Sequence, residues 1–310
     1  MAKASLGAWF PVTTDPTIAG VQPQPSAFMQ VAGPARFIPG DSVNVPRLTD
    51  AVLGVGCDLT DGGSVGDTVP MHSVLINGKE TICDADLAAA QNGNVSVIQA
   101  FDANWLTKFH VAFDNAAIGV AGAYSSTQSD RRPFDSILSR VLTASTGYTA
   151  GDNHTLSATL TYDAVNAALG LLEGGRYFNR SSVVILAHPT LLSAIRGMKD
   201  TAGNPIWQAA SGELLTETLM GYPIRWTQGA IRSTNFNMTS VTNPLFVAVN
   251  REYLAWGQGI AAVGAPAGPV SRVLPSTVNT DSVATTLQYI AKVGATQTVP
   301  QAASVLEIGS

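Results

Sequence analysis

Residues 183–187, with the sequence VVILA, are the feature that most constrains the fold. A short, continuous apolar run predicts a strand that is buried on both faces, so packed elements must lie above and below it. Pro189 suits the first turn of a following helix, and the segment DTAGNPIW at 200–207 predicts a hairpin after that helix. The stretch therefore predicts the core of an α/β unit, with a buried helix stripe formed by Leu191, Leu192, Ile195 and Met198.

The clearest helix lies at 97–117, where apolar side chains recur at spacings of three and four. Ser96 and Gln99 fit a capping box at its start. Shorter helices are predicted at 133–141, at 162–172 and within 213–220, with Gly221 as the stop of the last one. Core packing is the interpretation that we adopt for the aromatic stripe of the long helix.

Strands are predicted on both sides of this helical region. SVNVPRL at 42–48 and TVPMHSVLI at 68–76 show β-branched residues and partial alternation, and the Gly- and Asp-rich segment at 57–67 favours a turn between them. These segments predict a long β-hairpin, which needs a surface to rest on because an isolated hairpin is marginal in water. Four later segments also predict strands: PLFVAVN, EYLAWGQG, TTLQYIAKV and ASVLEIG.

The first 40 residues predict an extended arm. They contain six prolines and only three charged residues, and this density of proline argues against a regular helix. Trp9, Phe10 and Phe28 make the segment too apolar for a disordered tail. We therefore expect the arm to lie on a surface, either on the body of its own chain or on a neighbouring subunit.

Composition narrows the class of protein. Of the 310 residues, 45% are hydrophobic and only 13% are charged, and the net charge is -5, which argues against a protein that coats nucleic acid with Lys and Arg. So little charge is expected either where much of the surface faces other subunits or on a Ser/Thr/Asn-rich soluble surface. No run of 18 apolar residues predicts a membrane span. Cys57 and Cys83 do not make a disulfide framework, which fits a reducing cytosol.

Sequence signals for catalysis are weak. GGSVG at 62–66 matches the letters of a nucleophile elbow but lacks the preceding strand and following helix that aim the serine. The four histidines are far apart, and none has a second ligand at helical spacing, so no metal site and no cofactor site are predicted. His188 has no visible partner and is interpreted as a structural histidine. The charge cluster Asp130, Arg131 and Arg132 is interpreted as a solvated helix start or an intersubunit ion-pair site.

The order of these features resembles the major capsid protein of tailed bacteriophages, with the fold named after phage Hong Kong ninety-seven. The resemblance is carried by Lys199, Asp200, Gly203 and Pro205 in the pattern K-D-x-x-G-x-P, then by Leu219, Gly221, Pro223 and Ile224 in L-x-G-x-P-[IV]. The C-terminal segment DSVATTLQYIAKVGATQTVPQAASVLEIG also resembles the last strands of this family, so the match follows nearly the whole chain in order.

The resemblance implies an α+β capsid fold with an N-terminal arm at 1–40, an extended β-hairpin loop at 41–84, a peripheral domain with a long spine helix at 85–150, an α/β axial domain at 151–244 and closing strands, mainly peripheral, at 245–310. It implies a structural protein of the virion, not an enzyme. Intersubunit contacts are expected at Trp9, Phe10, Phe28, Trp105, Arg131 and Arg132.

The implied partners are copies of the same chain, assembled as hexamers and pentamers in the host cytoplasm. The icosahedral shell would enclose double-stranded DNA without sequence specificity, with a portal and a decoration protein as further candidate partners. The chain enters the arm directly from Met1, so either a separate scaffolding protein exists or none is needed. Some relatives weld subunits through a loop lysine and a buried glutamate. Here Lys79 lies away from the loop tip, and the spine helix offers Asp102 and Asp114 instead.

Two alternatives stay open. An encapsulin-type compartment that encloses cargo protein uses the same fold, although the proline-rich arm favours the phage shell. A soluble α+β enzyme of unknown class is the second alternative.

Overall fold

The computed structural model describes residues 25–48, 66–84, 97–126, 132–145, 147–200, 202–209, 217–236, 238, 240–261, 267–279 and 282–309. The helices are α1 (Ala27–Val31), α2 (Val97–Ile118), α3 (Ile137–Leu142), α4 (Tyr162–Glu173) and α5 (Leu192–Gly197). The strands are β1 (Arg36–Phe37), β2 (Ser42–Leu48), β3 (Gly66–Cys83), β4 (His154–Ser157), β5 (Val183–Ala187), β6 (Trp207–Gln208), β7 (Thr218–Leu219), β8 (Tyr222–Trp226), β9 (Ile231–Ser233), β10 (Val241–Asn250), β11 (Leu254–Gly259), β12 (Val270–Asn279), β13 (Ser282–Gln297) and β14 (Ala303–Ile308).

The first sheet has six strands in the order β1-β11-β13-β3-β2, and β12 also pairs with β13. The 18 residues of β3 are shared between two partners. Residues 66–72 pair with β2, and residues 73–83 pair with β13, both antiparallel. The predicted pairing of 42–48 with the strand after the Gly- and Asp-rich segment is confirmed, while residues 49–65 lie outside the described ranges.

The second sheet has eight strands in the order β4-β14-β10-β5-β8-β7-β6, with β9 paired to β10. Its centre is β5, the VVILA strand, and all five of its residues are buried. Val184 and Leu186 face a core that contains α1 and α2, whereas Val183, Ile185 and Ala187 face a core that contains α4 and α5. The prediction that this strand is covered on both faces is therefore confirmed.

The helix α2 joins the two sheets. Its C-terminal half carries Phe109 and Phe113, which are at most 3% exposed and lie in the same core as residues of β5, β10, β11 and β13. The predicted helix at 97–117 is confirmed, and Ser96 lies outside the described ranges. Burial of this aromatic stripe is the main reason that the helix forms where it does, since apolar burial dominates folding free energy.

Two helix predictions need correction. The arm does contain a helix, α1, which lies between Pro25 and Pro34 and is capped by the Ser26 side chain. Proline limited its length to five residues but did not prevent it, because both prolines fall outside the turn. The helix predicted from residue 133 begins only at Ile137, because the hydroxyl of Ser136 accepts from the backbone of Ser139 and caps it there.

The helix predicted before Gly221 is wrong for the part of it that the structure describes. Thr218 and Leu219 form the strand β7, which pairs with β6 and β8. Met220 and Gly221 then turn the chain with φ of 53° and 84°. Two successive positive φ angles are typical of a tight hairpin turn, so Gly221 closes a hairpin instead of ending a helix.

The boundaries of the arm, loop, peripheral and axial domains stay predictions. The strand β10 runs across the boundary predicted at 244, and β10 and β14 lie in the same sheet as β5. None of the helices in the described ranges is long and apolar enough to cross a membrane.

Candidate functional site: arm anchor and assembly surfaces

The buried carboxylate of Asp114 fastens the arm to α2. Its side chain is 2% exposed and lies on the last turns of the helix. It accepts hydrogen bonds from the hydroxyl of Ser26 and from the backbone N–H groups of Ala27 at 2.9 Å and Phe28 at 3.2 Å. The hydroxyl of Thr227 donates a fourth bond at 2.6 Å. The carboxylate therefore holds the start of α1 and the loop after β8 at one point, which we call the arm anchor.

Burial raises the pKa of Asp114, while the hydrogen bonds from Ser26, Thr227 and the arm backbone oppose that rise. A carboxyl group away from water needs such donors, because an unpaired buried acceptor is costly. Removal of any one donor segment would leave this group under-satisfied. The cost of leaving the carboxylate of Asp114 without its donors therefore couples the position of the arm to the stability of the subunit.

The next residue, Asn115, fixes the same loop from the other side. Its amide donates to the carbonyls of Gly229 at 3.0 Å and Ile231 at 2.7 Å, and its oxygen accepts from the hydroxyl of Ser233 at 2.6 Å. A Cβ atom at Gly229 would lie 2.5 Å from the backbone of Asn115, so only glycine allows this approach. The loop 227–233 is thus locked on α2.

A second polar cluster surrounds Glu307 on β14, whose side chain is 1% exposed. Arg232 donates to both of its oxygens at 3.0 and 2.8 Å, Asn243 donates at 2.6 Å, and the ring of His154 lies 3.1 Å away. Burial raises the pKa of Glu307, but the bond from Asn243 and the charge and bond of Arg232 outweigh it and lower the pKa. This cluster ties β4, β9, β10 and β14 together.

The turn end of the β2–β3 pair, next to residues 49–65, carries a further ionic contact. Arg47 on β2 donates to Asp67 on β3 at 2.9 Å through Nε, and its other end donates to the carbonyl of Thr298 at 3.2 Å. Arg140 of α3 donates to the same carbonyl at 3.4 Å. The bond from Arg47 is the main cause that lowers the pKa of Asp67. The hairpin is therefore tied to the body of the chain at the end that lies next to residues 49–65.

A cavity of about 530 Å³ lies between α2, β3 and the loop that follows β9. Its apolar side includes Trp105, which stacks on Phe109 at 5.3 Å and on Tyr289 at 5.0 Å between ring centroids. Phe236 and Met238 also line it. Its rim is formed by the exposed residues Asn77, Lys108 and Gln228.

The residues predicted as intersubunit contacts fall into three groups. Trp9, Phe10 and Arg131 lie outside the described ranges. Phe28 is 1% exposed and packs edge-on against Phe113 at 6.0 Å, so its ring has almost no surface left for a neighbour. For Phe28 the arm lies on the body of its own chain, which was the other expectation from the sequence.

Trp105 and Arg132 are both half-buried. Trp105 lines the cavity, and the guanidinium of Arg132 lies against Gly122, where an added Cβ would approach it to 2.2 Å. The intersubunit roles of Trp9, Phe10, Trp105, Arg131 and Arg132 stay predictions.

His188 has a structural part in the fold. Its Nδ1 accepts from the backbone of Thr190 at 3.3 Å and lies 2.8 Å from the hydroxyl of the same residue, which caps the turn Pro189–Leu191. Burial lowers the pKa of His188, and this favours the neutral ring that can accept such a bond. Among the described residues, no group of three His, Cys, Asp or Glu side chains is placed to hold a metal ion.

Sequence reasoning missed the roles of Asp114 and Glu307. The sequence alone offers Asp114 only as a candidate carboxylate for a covalent weld, and Glu307 only as part of a strand. The available signal was a charged residue inside an apolar element, FDNAA in α2 and SVLEIG in β14. Such a residue must find buried partners, but the sequence does not say which.

Comparison with known proteins shows what the chain is similar to. A model described as the phage capsid family matches residues 124–246. The matched part runs from the segment before α3 to the middle of β10 and contains the VVILA strand, the hairpin after it and the loop held by Asn115.

Solved structures share the fold over the whole length. A structure from Mycobacterium phage Ogopogo is 12% identical with a TM-score of 0.63, and the match covers 99% of this chain and 100% of the other. A structure from Microbacterium phage Oxtober96 is 15% identical with a TM-score of 0.63, covering 98% and 97%. The capsid of a native GTA particle, computed with C5 symmetry, is 17% identical with a TM-score of 0.63, covering 100% of both chains.

The chain has the phage capsid fold. The predicted α+β fold of the Hong Kong ninety-seven type is thereby confirmed. The family match and the capsid fold together support a major capsid protein that forms a shell by self-assembly, as a structural component of a virion. No curated protein matches the sequence.

Proposed function

We propose that this phage capsid protein assembles in the host cytoplasm into an icosahedral shell of hexamers and pentamers that encloses double-stranded DNA. In this proposal the chain catalyses no reaction. The observation that carries the proposal, beyond the family match, is the chemistry of the sheet edges. Three edge strands expose large apolar side chains: Phe37 on β1 is 57% exposed, Leu156 on β4 is 63% exposed and Leu274 on β12 is 40% exposed.

An exposed apolar side chain on an unpaired strand edge is a liability for a monomer. Such an edge offers free backbone donors and acceptors beside a hydrophobic contact, so it pairs readily with another chain. Soluble monomers protect edges with charges or prolines, whereas subunits of an assembly bury them on neighbours. The low charge of the chain, 13% of residues, fits the second case.

The shell should contact DNA weakly. With 17 basic and 22 acidic residues the chain has no excess of cations to neutralise phosphates. Any binding should therefore be independent of sequence and should fall steeply as salt concentration rises. A portal, a scaffolding protein and a decoration protein belong to the proposal as further partners.

Electron microscopy of the full-length protein, purified without denaturant, tests the proposal. We expect closed shells of uniform size with five-fold and six-fold capsomers. Particles recovered from cells that make a complete phage should carry DNase-protected double-stranded DNA, whereas protected cargo protein would support an encapsulin-type compartment. A monodisperse monomer by light scattering at every salt concentration tried, with and without scaffolding protein, would contradict assembly.

A further inference from the structure

The cavity beside α2 offers an apolar surface with an open rim. Trp105, Phe236 and Met238 are half-buried on its walls. The other apolar lining residues are Ile76, Phe109, Val111 and Ala112. An aromatic wall left partly exposed on a folded chain marks a binding surface more often than a random patch does. Of the described lining residues, Lys108 on the rim carries the only charge.

The arm enters the fold next to this cavity. Thr227 donates to Asp114 at the arm anchor, and Gln228, the next residue, lies on the cavity rim. On the helix side, Asp114 is six residues from Lys108, which corresponds to about 9 Å along the helix axis. The first anchored residue of the arm, Ser26, therefore lies close to the cavity.

The segment before Pro25 has the chemistry that this cavity would accept. Trp9 and Phe10 are adjacent aromatic residues, and Asp15 is the only acidic residue among the first 24. The 15 residues between Trp9 and Pro25 can span up to about 50 Å, far more than the distance from the anchor to the cavity. Asp15 also offers Lys108 a charge of opposite sign.

We propose that, in the unassembled subunit, the cavity receives Trp9 and Phe10 from the arm of the same copy. Because the arm is joined covalently to the anchor, docking on its own chain is an intramolecular step, which tethering favours over docking between separate copies. The role of this docking during assembly rests on the proposed function. Docking would keep the rings of Trp9 and Phe10 away from water until assembly. During assembly the identical arm of a neighbouring copy could take the place of the docked arm.

Photo-cross-linking tests the docking in the full-length protein. The variant Phe10→p-benzoylphenylalanine is prepared in an isotopically heavy and a normal form, and the two forms are mixed in equal amounts. The mixture is separated by size and each fraction is irradiated. Mass spectrometry then identifies the linked peptides. In the subunit fraction we expect links from position 10 to residues 104–112 or 236–238, with both peptides from the same isotope. Trp9→p-benzoylphenylalanine gives a second, independent reporter.

Two variants and one control define the site. Ala112→Trp fills the cavity and should abolish the links, and Lys108→Glu should reduce them by removing the favourable charge. Ala167→Trp adds the same ring at an exposed position of α4 and should leave them unchanged. Links to any other part of the chain, links only between copies of different isotope, or links that survive Ala112→Trp would each overturn the proposal. Electron microscopy of the same samples reports shell formation separately, so a failed docking and a failed assembly are distinguishable.

Discussion

The hydroxyl of Ser26 donates to the carboxylate of Asp114, a residue 88 positions later in the chain. This contact joins the arm, which the sequence sets apart by its prolines, to the helix that carries the core. The same carboxylate also accepts a hydrogen bond from the hydroxyl of Thr227. One buried group therefore connects the arm, the helix α2 and the loop after β8.

Asp114→Asn should destabilise the subunit and loosen the arm. The amide keeps the size of the side chain, but it replaces one acceptor by a donor that faces the donors of Ala27 and Thr227. We expect a loss of about 3 kcal/mol in the free energy of unfolding, the scale for buried groups left unpaired. Hydrogen exchange at the amides of Ala27 and Phe28 should accelerate, because both donate to Asp114.

The matched control for this variant is Asp163→Asn in the first turn of α4, an exposed position. It removes a favourable interaction with the helix dipole and should change stability by only about 0.5 kcal/mol. Equal losses in the two variants would show that the arm anchor has no special energetic weight.

Deletions of the arm should separate two effects. Removal of residues 1–24 keeps Ser26 and Phe28 in place, so the subunit should stay folded while its shells become less resistant to heat. Removal of residues 1–30 also takes Phe28 out of the core, where it is 1% exposed, and should add about 3–5 kcal/mol of destabilisation. Denaturant unfolding of both proteins measures the difference, and Phe28→Ala should reproduce most of it. Two deletions of equal stability would mean that the Phe28 contact is not formed.

The sequence predicted elements whose burial is decided locally. The VVILA strand and the helix α2 were recognisable because every apolar residue needed for them lies within one short stretch. The hairpin at 200–207 was recognisable from its turn residues, and the structure shows why: the carboxylate of Asp200 accepts from the backbone of Ala202 and Asn204.

What the sequence could not supply was long-range pairing. Asp114 meets Thr227, 113 residues away, and Glu307 meets His154, 153 residues away. Neither pair leaves a local pattern, since each depends on how whole elements pack. The turn at Met220 was missed for a different reason: a methionine with positive φ is unusual, and helix-forming residues before it suggested a helix that the sheet overrides.

Acid should weaken the cluster around Glu307. Its pKa is lowered in the folded chain, so the carboxylate contributes stability above its unfolded pKa, near 4.5, and that contribution is lost as pH falls through the folded pKa. Glu307→Gln should therefore be less stable than wild type at pH 7 by about 2–3 kcal/mol, and the difference should shrink toward pH 3. Glu80→Gln, at an exposed strand position, serves as control. A difference that does not change between pH 7 and pH 3 would argue against an ionised Glu307.

Charge on the sheet edges should block assembly without unfolding the subunit. Leu156→Lys and Phe37→Glu change side chains that are 63% and 57% exposed, so the free energy of unfolding should move by no more than about 0.5 kcal/mol. In a shell, each change would place an unpaired charge in every copy of an interface, and the shell yield should fall at least tenfold. Leu171→Lys, on the exposed side of α4, is the matched control and should retain more of the yield. Yields are compared by size-exclusion chromatography and electron microscopy.

We expect the shell to be held together without covalent links. An isopeptide weld needs a lysine that can lose its proton and a nearby carboxylate that accepts it. Lys79 is paired opposite Gln288 in the regular part of β3 and is exposed, so it keeps its contact with water. On α2, the carboxylate of Asp114 already accepts hydrogen bonds from four donors.

Denaturing gel electrophoresis of mature particles should show one band near 32 kDa with or without reductant. Ladders that persist with reductant would reveal a weld, and ladders that vanish with it would point to Cys57 or Cys83, of which Cys83 is a free thiol in the subunit.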